Sequence, residues 1–381
     1  MSLLDGQTFF KSTVILIAIL AIKVQLSQTK CPSRDYSWCL QIDGYDNVIL
    51  DGNRFPDIKP VMGHISNLLD GNAKEGKRFD HFFLYNNHEV RRLEANSFAD
   101  LTFNKINIKN CTKLIRIDPN AFNGTQHLIT KVHIDLISIS GPKNIEDFFD
   151  ALNNLPKLEE LELFNHNIII IPSFAFRQPL LNRLELDGPL DTIKNNAFFD
   201  LVSLRILKLH KSVKHIPKHS FDFKTFTNKT LDIYFDIKFN TIESGIFSQV
   251  LRPITLNLYL KKLRDLSESV FKPILLSERR HDITFHGELK EMAQPCILKW
   301  LFDEKASFKG RFSFKTDPMI GPNDFVDCPE DSNSINDSQV NSSVNSFQPI
   351  NSNPYSKLIN RYLILAVGIS IFLFNIQNQY V

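Results

Sequence analysis

Apolar residues recur through the middle of the chain with a period of 22 to 27 residues. In most units an alternating apolar pair comes first, then an aliphatic residue, and then a phenylalanine five positions later. The phenylalanines are Phe98, Phe122, Phe149, Phe176, Phe198, Phe221, Phe247 and Phe271. Alternation predicts a short strand, and a fixed period of about 20 to 50 residues predicts stacked repeats. Because one unit cannot bury its apolar face alone, we expect an α/β repeat solenoid with one continuous core.

The clearest unit covers residues 155–176 and reads LPKLEELELFNHNIIIIPSFAF. It resembles the extracellular leucine-rich repeat family, whose pattern is LxxLxLxxNxIxxIxxxxF. The resemblance implies eight or nine repeats over residues 76–292, a parallel sheet on the concave side of a horseshoe, and a spine of phenylalanines. Among family members, the chain is most similar to small anchored or secreted arthropod proteins, including the non-catalytic subunit type of shrimp luciferase.

The flanks of the repeats resemble reduced versions of the cysteine caps of this family. Residues 28–75 contain CPSRDYSWC and are interpreted as the N-terminal cap, and residues 293–330 contain PCILKWLFDEK and are interpreted as the C-terminal cap. The repeats depart from the family pattern in the turn after each strand. The asparagine expected there is mostly absent, with His166, Pro189 and Ser212 near that place. A continuous asparagine ladder is therefore not expected.

The cysteines and glycosylation motifs agree with an exported protein. Two local disulfides are predicted, Cys31 with Cys39 and Cys296 with Cys328, and no CxxC motif suggests a metal site. The remaining Cys111 is expected to be a buried thiol, with an intermolecular bridge as the alternative. Acceptor motifs for N-glycosylation occur at Asn110, Asn123, Asn228, Asn336 and Asn341.

Both ends of the chain carry short apolar runs. Residues 1–27 are interpreted as a signal sequence, because the apolar run at residues 14–22 is too short to span a bilayer, and an uncleaved anchor is the alternative. Residues 331–361 are rich in Ser and Asn and are expected to be a flexible stalk. Residues 362–381 are a lipid-anchor signal, with attachment at Asn351 or Ser352, or else a short transmembrane segment.

The side chains between the core residues of each strand point to the opposite, concave face of the sheet. We expect an extracellular protein ligand or co-receptor to bind there. The candidate residues are Lys105, Lys109, Lys131, His133, Glu160, Glu162, Phe164, Arg183, Glu185, Asp187, Lys208, Tyr234 and Tyr259. The basic residues of the early strands would form a patch beside an acidic one. The alternative is that these opposite charges pair across strands.

Charge and motifs exclude several other functions. Lys and Arg number 44 against 42 for Asp and Glu, so the charge does not favour nucleic acid as a partner. No GxSxG, HExxH, GxxxxGK[ST] or GxGxxG motif occurs, and no catalytic residue, metal or cofactor is predicted. The sequence therefore favours a non-enzymatic recognition or adhesion protein at the cell surface, attached to the membrane through its tail. The alternative is a secreted non-catalytic subunit or carrier that stabilises an extracellular enzyme.

Overall fold

The computed structural model describes residues 38–42, 45–70, 74–211, 213, 215–224, 227–237, 241–247, 250–259, 268–279, 281–288, 290, 295–315, 321–325 and 328. Among these, no helix is both long and apolar enough to cross a bilayer. Several sequence predictions lie outside the described residues: the signal sequence, the stalk, the hydrophobic tail, Cys31, Asn336, Asn341, Asn351 and Ser352.

Strands dominate the described part of the chain. They are β1 (Cys39–Ile42), β2 (Tyr45–Asp51), β3 (Arg78–Tyr85), β4 (Arg92–Leu93), β5 (Thr102–Cys111), β6 (Arg116–Ile117), β7 (Lys131–Ile137), β8 (Glu160–Phe164), β9 (Ile170–Ile171), β10 (Arg183–Asp187), β11 (Thr192–Ile193), β12 (Ile206–Lys211), β13 (His215–Ile216), β14 (Leu231–Ile237), β15 (Thr241–Ile242), β16 (Ile254–Tyr259), β17 (Asp282–His286) and β18 (Arg311–Lys315).

The strands form one long sheet and two small ones. The long sheet has the order β1-β2-β3-β5-β7-β8-β10-β12-β14-β16-β17-β18, and its neighbours are parallel from β2 onward, while β1 and β2 are antiparallel. The small sheets, β15-β13-β11-β9 and β4-β6, contain the aliphatic residue that lies five positions before six of the phenylalanines. Each repeat therefore contributes one strand to the long sheet and, in most cases, two residues to a small sheet.

Alternation along each long strand explains why it forms. In β8 the side chains of Leu161 and Leu163 are fully buried, while the alternate residues Glu160, Glu162 and Phe164 are partly exposed. The next strand continues the pattern, because Leu184 pairs with Leu161 in register. Burying a leucine contributes about 1.5–3 kcal/mol, so a register shift of one residue would expose the whole apolar set.

The repeated phenylalanines contact one another along the array. Phe176 stacks on Phe198 with ring centroids 5.8 Å apart, Phe198 on Phe221 at 5.6 Å, and Phe221 on Phe247 at 5.3 Å. Phe98 and Phe122 stack at 5.8 Å nearer the N-terminus. We call these phenylalanines the phenylalanine row; their stacking connects neighbouring repeats in two stretches, from Phe98 to Phe122 and from Phe176 to Phe247.

Four α-helices interrupt the described repeats and flanks: α1 (Ile58–Leu68), α2 (Pro142–Asn153), α3 (Glu268–Leu276) and α4 (Lys299–Asp303). Asp57 caps α1 by accepting from the backbone N–H of Lys59 at 3.0 Å. Helix α2 lies in the 27-residue unit that ends at Phe149, and Pro142 at its first turn follows Gly141 at φ 86°. That unit therefore has a helix in place of the usual short strand.

The cysteines agree with the sequence prediction where the structure describes them. Cys296 and Cys328 form a disulfide with Cα atoms 5.5 Å apart, which confirms that predicted pair. Cys39 is disulfide-bonded as well. Cys111 is a free thiol with no exposed surface, and burial raises its pKa to about 11. Full burial agrees with the predicted thiol and leaves no surface for an intermolecular bridge.

Cys111 occupies the turn position where the repeat family carries asparagine. In the preceding repeat Asn87 fills this place, accepts from the backbone N–H groups of Glu89 and Val90, and donates to the carbonyl of Phe55. In the later repeat His166 fills it and accepts at Nδ1 from the N–H of Ile168 at 3.2 Å. Because a Cβ on Gly188 would overlap the His166 ring, glycine is required there. Different side chains thus form the hydrogen bonds that the backbone needs at this turn position.

His281 links β16 to β17 through a buried hydrogen bond. Its side chain is 4% exposed, and its Nδ1 accepts from the backbone N–H of Ile254 at 3.1 Å. Burial lowers the pKa of His281 to about 4, helped by the nearby Arg279 and opposed by Asp282. The imidazole is therefore neutral in the folded protein at neutral pH, as its acceptor role requires.

Replacing Phe198 with alanine is expected to destabilise the array by about 3–5 kcal/mol, since it opens a cavity between two stacked rings. Chemical denaturation of the full chain measures this. The matched control is Phe199→Ala, because Phe199 is the adjacent phenylalanine and is only half-buried. Equal losses for the two variants would contradict a stabilising role for the phenylalanine row.

Acid is expected to destabilise the protein through His281. The pKa of His281 is 6.5 in the unfolded chain and about 4 in the folded protein. Its contribution to the free energy of unfolding is therefore fully present above pH 7 and is lost as the pH falls toward 4. We expect the wild type to lose roughly 2 to 4 kcal/mol more over that interval than His281→Asn, whose side-chain oxygen accepts the same bond without titrating. Parallel stability profiles of the two proteins would show that His281 has no such effect.

Candidate partner-binding face

The long sheet carries its polar side chains on one side, which we call the polar face. Strand register aligns these side chains in three rows. The first row runs His81, Lys105, Lys131, Glu160, Arg183, Ile206, Asp232, Thr255, Asp282, Arg311. The second runs Phe83, Asn107, His133, Glu162, Glu185, Lys208, Tyr234, Asn257, Thr284, Ser313. The third contains Tyr85, Lys109, Asp135, Phe164, Asp187 and His210, and on later strands Tyr259, His286 and Lys315. All thirteen predicted partner-binding residues lie on this face.

Glu162 is the centre of one charge cluster. It lies 3.0 Å from Lys131 Nζ, 2.9 Å from His133 Nδ1 and 3.6 Å from Arg183 Nε, and its side chain is 15% exposed. Burial by itself would raise the pKa of Glu162, but the hydrogen bonds from His133 and Lys131 outweigh it and hold the pKa below the ordinary value. Lys131 also contacts Glu160 at 2.8 Å. The glutamate is therefore a fixed negative charge between two strands.

Glu185 is the centre of the neighbouring cluster. Its oxygens lie 2.6 Å from Arg183 Nη2, 3.0 Å from His210 Nε2 and 3.4 Å from Lys208 Nζ. Arg183 lies within ion-pair distance of both Glu162 and Glu185, so the two clusters are continuous across β8, β10 and β12. The basic and acidic residues are therefore interleaved rather than held as separate patches. This is the cross-strand pairing considered as the alternative reading of the sequence.

The flanking strands repeat the pairing on a smaller scale. Lys105 lies 3.3 Å from Asp80, and Lys109 lies 3.7 Å from Asp135. Two equivalent lysines on adjacent strands, Lys105 and Lys131, are thus each neutralised by a carboxylate on a different strand. Like charges placed opposite each other in a sheet are destabilising, and these pairs offset that cost.

Aromatic rings and histidines fill the positions between the charges. His81 stacks on Phe83 with centroids 5.1 Å apart, and Tyr259 stacks on His286 at 5.2 Å. His133 packs against Phe164 at 5.4 Å, and Lys208 Nζ lies 5.9 Å from the centre of the Tyr234 ring. Each aromatic ring is held by a neighbour and still partly exposed. Such rings offer contact area at low cost in side-chain entropy.

Partial burial keeps several of these groups uncharged near neutral pH. Burial lowers the pKa of His81, with Asp80 opposing and Lys105 and Lys131 adding to the effect. Burial also lowers the pKa of His286, together with the charge of Lys315. Burial raises the pKa of the Tyr85 hydroxyl. The two histidines therefore present neutral rings that can stack and hydrogen-bond.

Sequence reasoning missed the last two strands of this face. The predicted map of strands ended at Tyr259, although DITFH and RFSFK both alternate apolar and polar residues as the earlier strands do. Strand β17 adds Thr284 and His286, and β18 adds Ser313 and Lys315. The alternation was the available signal, and it lies beyond the last phenylalanine of the repeat series.

The described glycosylation motifs lie beside the face or away from it. Asn110 is the residue before the last of β5 and has φ 55°, and its Nδ2 donates to Asn86 Oδ1 at 2.8 Å. Asn228 is exposed and Asn123 is partly exposed. Both follow a phenylalanine of the row by a few residues, as the sequence indicated.

No cluster of three or more His, Cys, Asp or Glu side chains arranged to hold a metal ion occurs within the described residues. His215 and His219 have a spacing that would suit a helical metal site, but His215 begins the short strand β13 and lies 3.4 Å from Glu243. His219 Nδ1 lies 2.7 Å from Asp222 in the following turn. The two histidines therefore lie in a short strand and in a turn, not on one face of a helix.

Part of the chain is similar to a known repeat family and to two receptors. The model of the BspA type Leucine rich repeat region matches residues 143–276 in six copies. The Leucine-rich repeat-containing G-protein coupled receptor 4 of Xenopus tropicalis is 42% identical over 66 residues, or 17% of this chain and 7% of the receptor. The receptor of the same name from Mus musculus is 39% identical over 66 residues, with the same shares. The chain thus matches only a small part of each relative. These matches, with the in-register parallel strands, show that residues 143–276 are similar to the repeat regions of leucine-rich repeat proteins.

Proposed function

We propose that this protein binds an extracellular protein partner through its polar face and does so at the cell surface. The observation that carries the proposal is the three-row register, which joins two or three side chains from each repeat into a continuous surface. Repeat arrays commonly use such extended surfaces for protein recognition. We expect this face to be the concave side of a horseshoe.

The chemistry of the face suits a protein partner better than a small molecule. Its partly exposed aromatic rings, Phe164, Tyr234 and Tyr259, are of the residue types enriched at binding hot spots. They are spread over the part of the sheet that runs from β8 through β10, β12 and β14 to β16. The charged clusters lie between and beside them and are already internally paired. We therefore expect the aromatic residues to supply affinity and the charges to supply orientation.

The cell-surface part of the proposal depends on the two ends of the chain. The apolar runs at residues 14–22 and 362–374 are the segments expected to direct export and attachment. The two receptors with a similar stretch support a recognition role, although they share only 66 aligned residues with this chain. The arthropod resemblance and the secreted-subunit alternative stay predictions from the sequence.

Photo-crosslinking from the polar face is expected to capture one protein from several positions. Benzoylphenylalanine is placed at Phe164, Tyr234 or Tyr259 in the full chain, and at Ile115 as the control. Ile115 is 41% exposed and precedes β6, away from the polar face. Alanine at Phe164 and Tyr259 together should then weaken binding of the captured protein at least about tenfold, whereas Ile115→Ala should not. Crosslinks obtained only from position 115 would contradict the proposed face.

Surface attachment is tested with an epitope tag after Cys39 in a eukaryotic secretory host. We expect staining of unpermeabilised cells, and release of the stain by a phospholipase specific for phosphatidylinositol if the tail is a lipid-anchor signal. Stain that resists the enzyme but requires residues 362–374 would indicate a membrane span. Tagged protein found only in the medium would contradict attachment and favour the secreted subunit.

A further inference from the structure

A second surface lies outside the polar face, between helix α2 and the segment 167–177 of the following repeat. It is a groove of about 900 Å³, within the usual range for binding sites. Its lining is mainly apolar and includes Ile145, Phe149, Ile169, Ile170, Pro172 and Phe174. Three of these side chains are unusually open: Ile169 is 50% exposed, Ile170 37% and Phe174 39%. A contiguous apolar surface of this kind marks an interaction site.

Phe174 stands at a turn position that does not favour phenylalanine. Two residues before the phenylalanine of the row, the backbone is left-handed in several repeats. The residues there are Asn96 at φ 58°, Asn196 at 58°, His219 at 65° and Gly245 at 85°. Phe174 has φ 54°, and its backbone N–H donates to the carbonyl of Asn196 as part of the same column. Asparagine and glycine adopt this conformation readily, whereas a bulky side chain is strained in it.

The turn geometry therefore gives no reason for phenylalanine at position 174, and neither does the core. The ring makes an edge contact with Phe199 at 5.9 Å and is otherwise directed into the groove, where it stays 39% exposed. Strained residues that persist cluster at functional sites. An aromatic side chain that is partly exposed and attached to a strained backbone is consistent with a docking contact.

The rims of the groove carry opposite charges. Arg177 and Lys194 lie on the side of the repeat segment, and Asp150 lies on α2. Among the described residues, none of these three forms an ion pair, whereas Lys143 on the same helix pairs with Glu146 at 3.2 Å and Asp147 at 3.0 Å. Arg177 is anchored by its Nε, which donates to the carbonyl of Phe174 at 3.3 Å. One rim thus offers two available cations, and the other offers an available carboxylate.

The length of α2 sets the length of the occupant. Its 12 residues extend about 18 Å at 1.5 Å per residue, which corresponds to about three helical turns of a ligand lying alongside. A lipid with a single carboxylate would use the two cations and leave Asp150 without a partner. A helix with charges on both flanks of an apolar stripe matches both rims.

We propose that this groove docks an amphipathic helix of a protein partner, independently of the polar face. The apolar stripe, at positions i, i+3 or i+4, and i+7, packs on Ile169, Ile170 and Phe174. An acidic flank faces Arg177 and Lys194, and a basic flank faces Asp150. The helix covers apolar surface that the repeat array leaves open.

The test uses a displayed library of 14-residue helices with a fixed apolar stripe and randomised flanks, selected on the full chain. Phe174→Asn is the key variant, because it restores the residue that the turn favours. Its control is Leu136→Asn, which replaces an equally exposed apolar residue at φ 57° outside the groove. We expect selected peptides to carry acidic residues on one flank and basic residues on the other. They should bind Phe174→Asn at least about tenfold more weakly and bind Leu136→Asn unchanged.

Charge reversal and thermal unfolding complete the test. Arg177→Glu with Lys194→Glu makes both rims acidic, and we expect it to weaken the selected peptides by a similar factor. The melting temperature of Phe174→Asn should equal or exceed that of the wild type, since the strain is relieved. The proposal is overturned if no selected peptide binds the wild type more tightly than Phe174→Asn. It is also overturned if the peptides bind the Arg177→Glu, Lys194→Glu variant as tightly as the wild type. A lower melting temperature for Phe174→Asn would overturn it too, because Phe174 would then be a structural residue.

Discussion

Parallel register between neighbouring repeats is the constraint on which the rest of the molecule depends. A repeat of about 24 residues has one apolar side and no partner within itself, so it becomes stable only when the next repeat covers it. Leu161 meets Leu184, and Leu184 meets Leu207, because the backbones of β8, β10 and β12 pair without a shift. The same register brings Phe176, Phe198 and Phe221 into ring contact on the other side of the core. A slip of one residue would break both sets of contacts together.

Register also explains why the turns tolerate substitutions. The turn after each strand needs a buried group that accepts from or donates to nearby backbone groups, and Asn87, Cys111 and His166 do this with different chemistry. The larger His166 is accommodated only because the next repeat has glycine at position 188. At His166 the absence of asparagine is therefore compensated by a glycine in the adjacent repeat.

The two candidate surfaces use the stacked repeats in different ways. On the polar face, every repeat adds side chains to common rows, so opposite charges on adjacent strands meet and pair, as Glu162 and Glu185 do with Arg183. The groove instead arises where the repetition is broken. Helix α2 replaces a short strand there, and Phe174 replaces the asparagine or glycine of the turn. The regular part of the array supplies an extended surface, and the irregular part supplies a local groove.

The sequence by itself determined the repeat, most of its strands, the residues of the core and the Cys296–Cys328 pair. These follow from the order of apolar and polar residues and from local spacing, which are written along the chain. It also placed all thirteen candidate residues on one face, because side-chain direction alternates along a strand. Which of those residues touch across strands was decided only by the tertiary structure, since partners on neighbouring strands are separated by 20 or more residues, as Lys131 is from Glu160. The fit of Gly188 around His166, the exposure of Phe174 and the uncompensated charges of Arg177 and Lys194 depend on repeats meeting in space. Distances between such residues are set by packing, and packing is not encoded in the spacing of any single repeat.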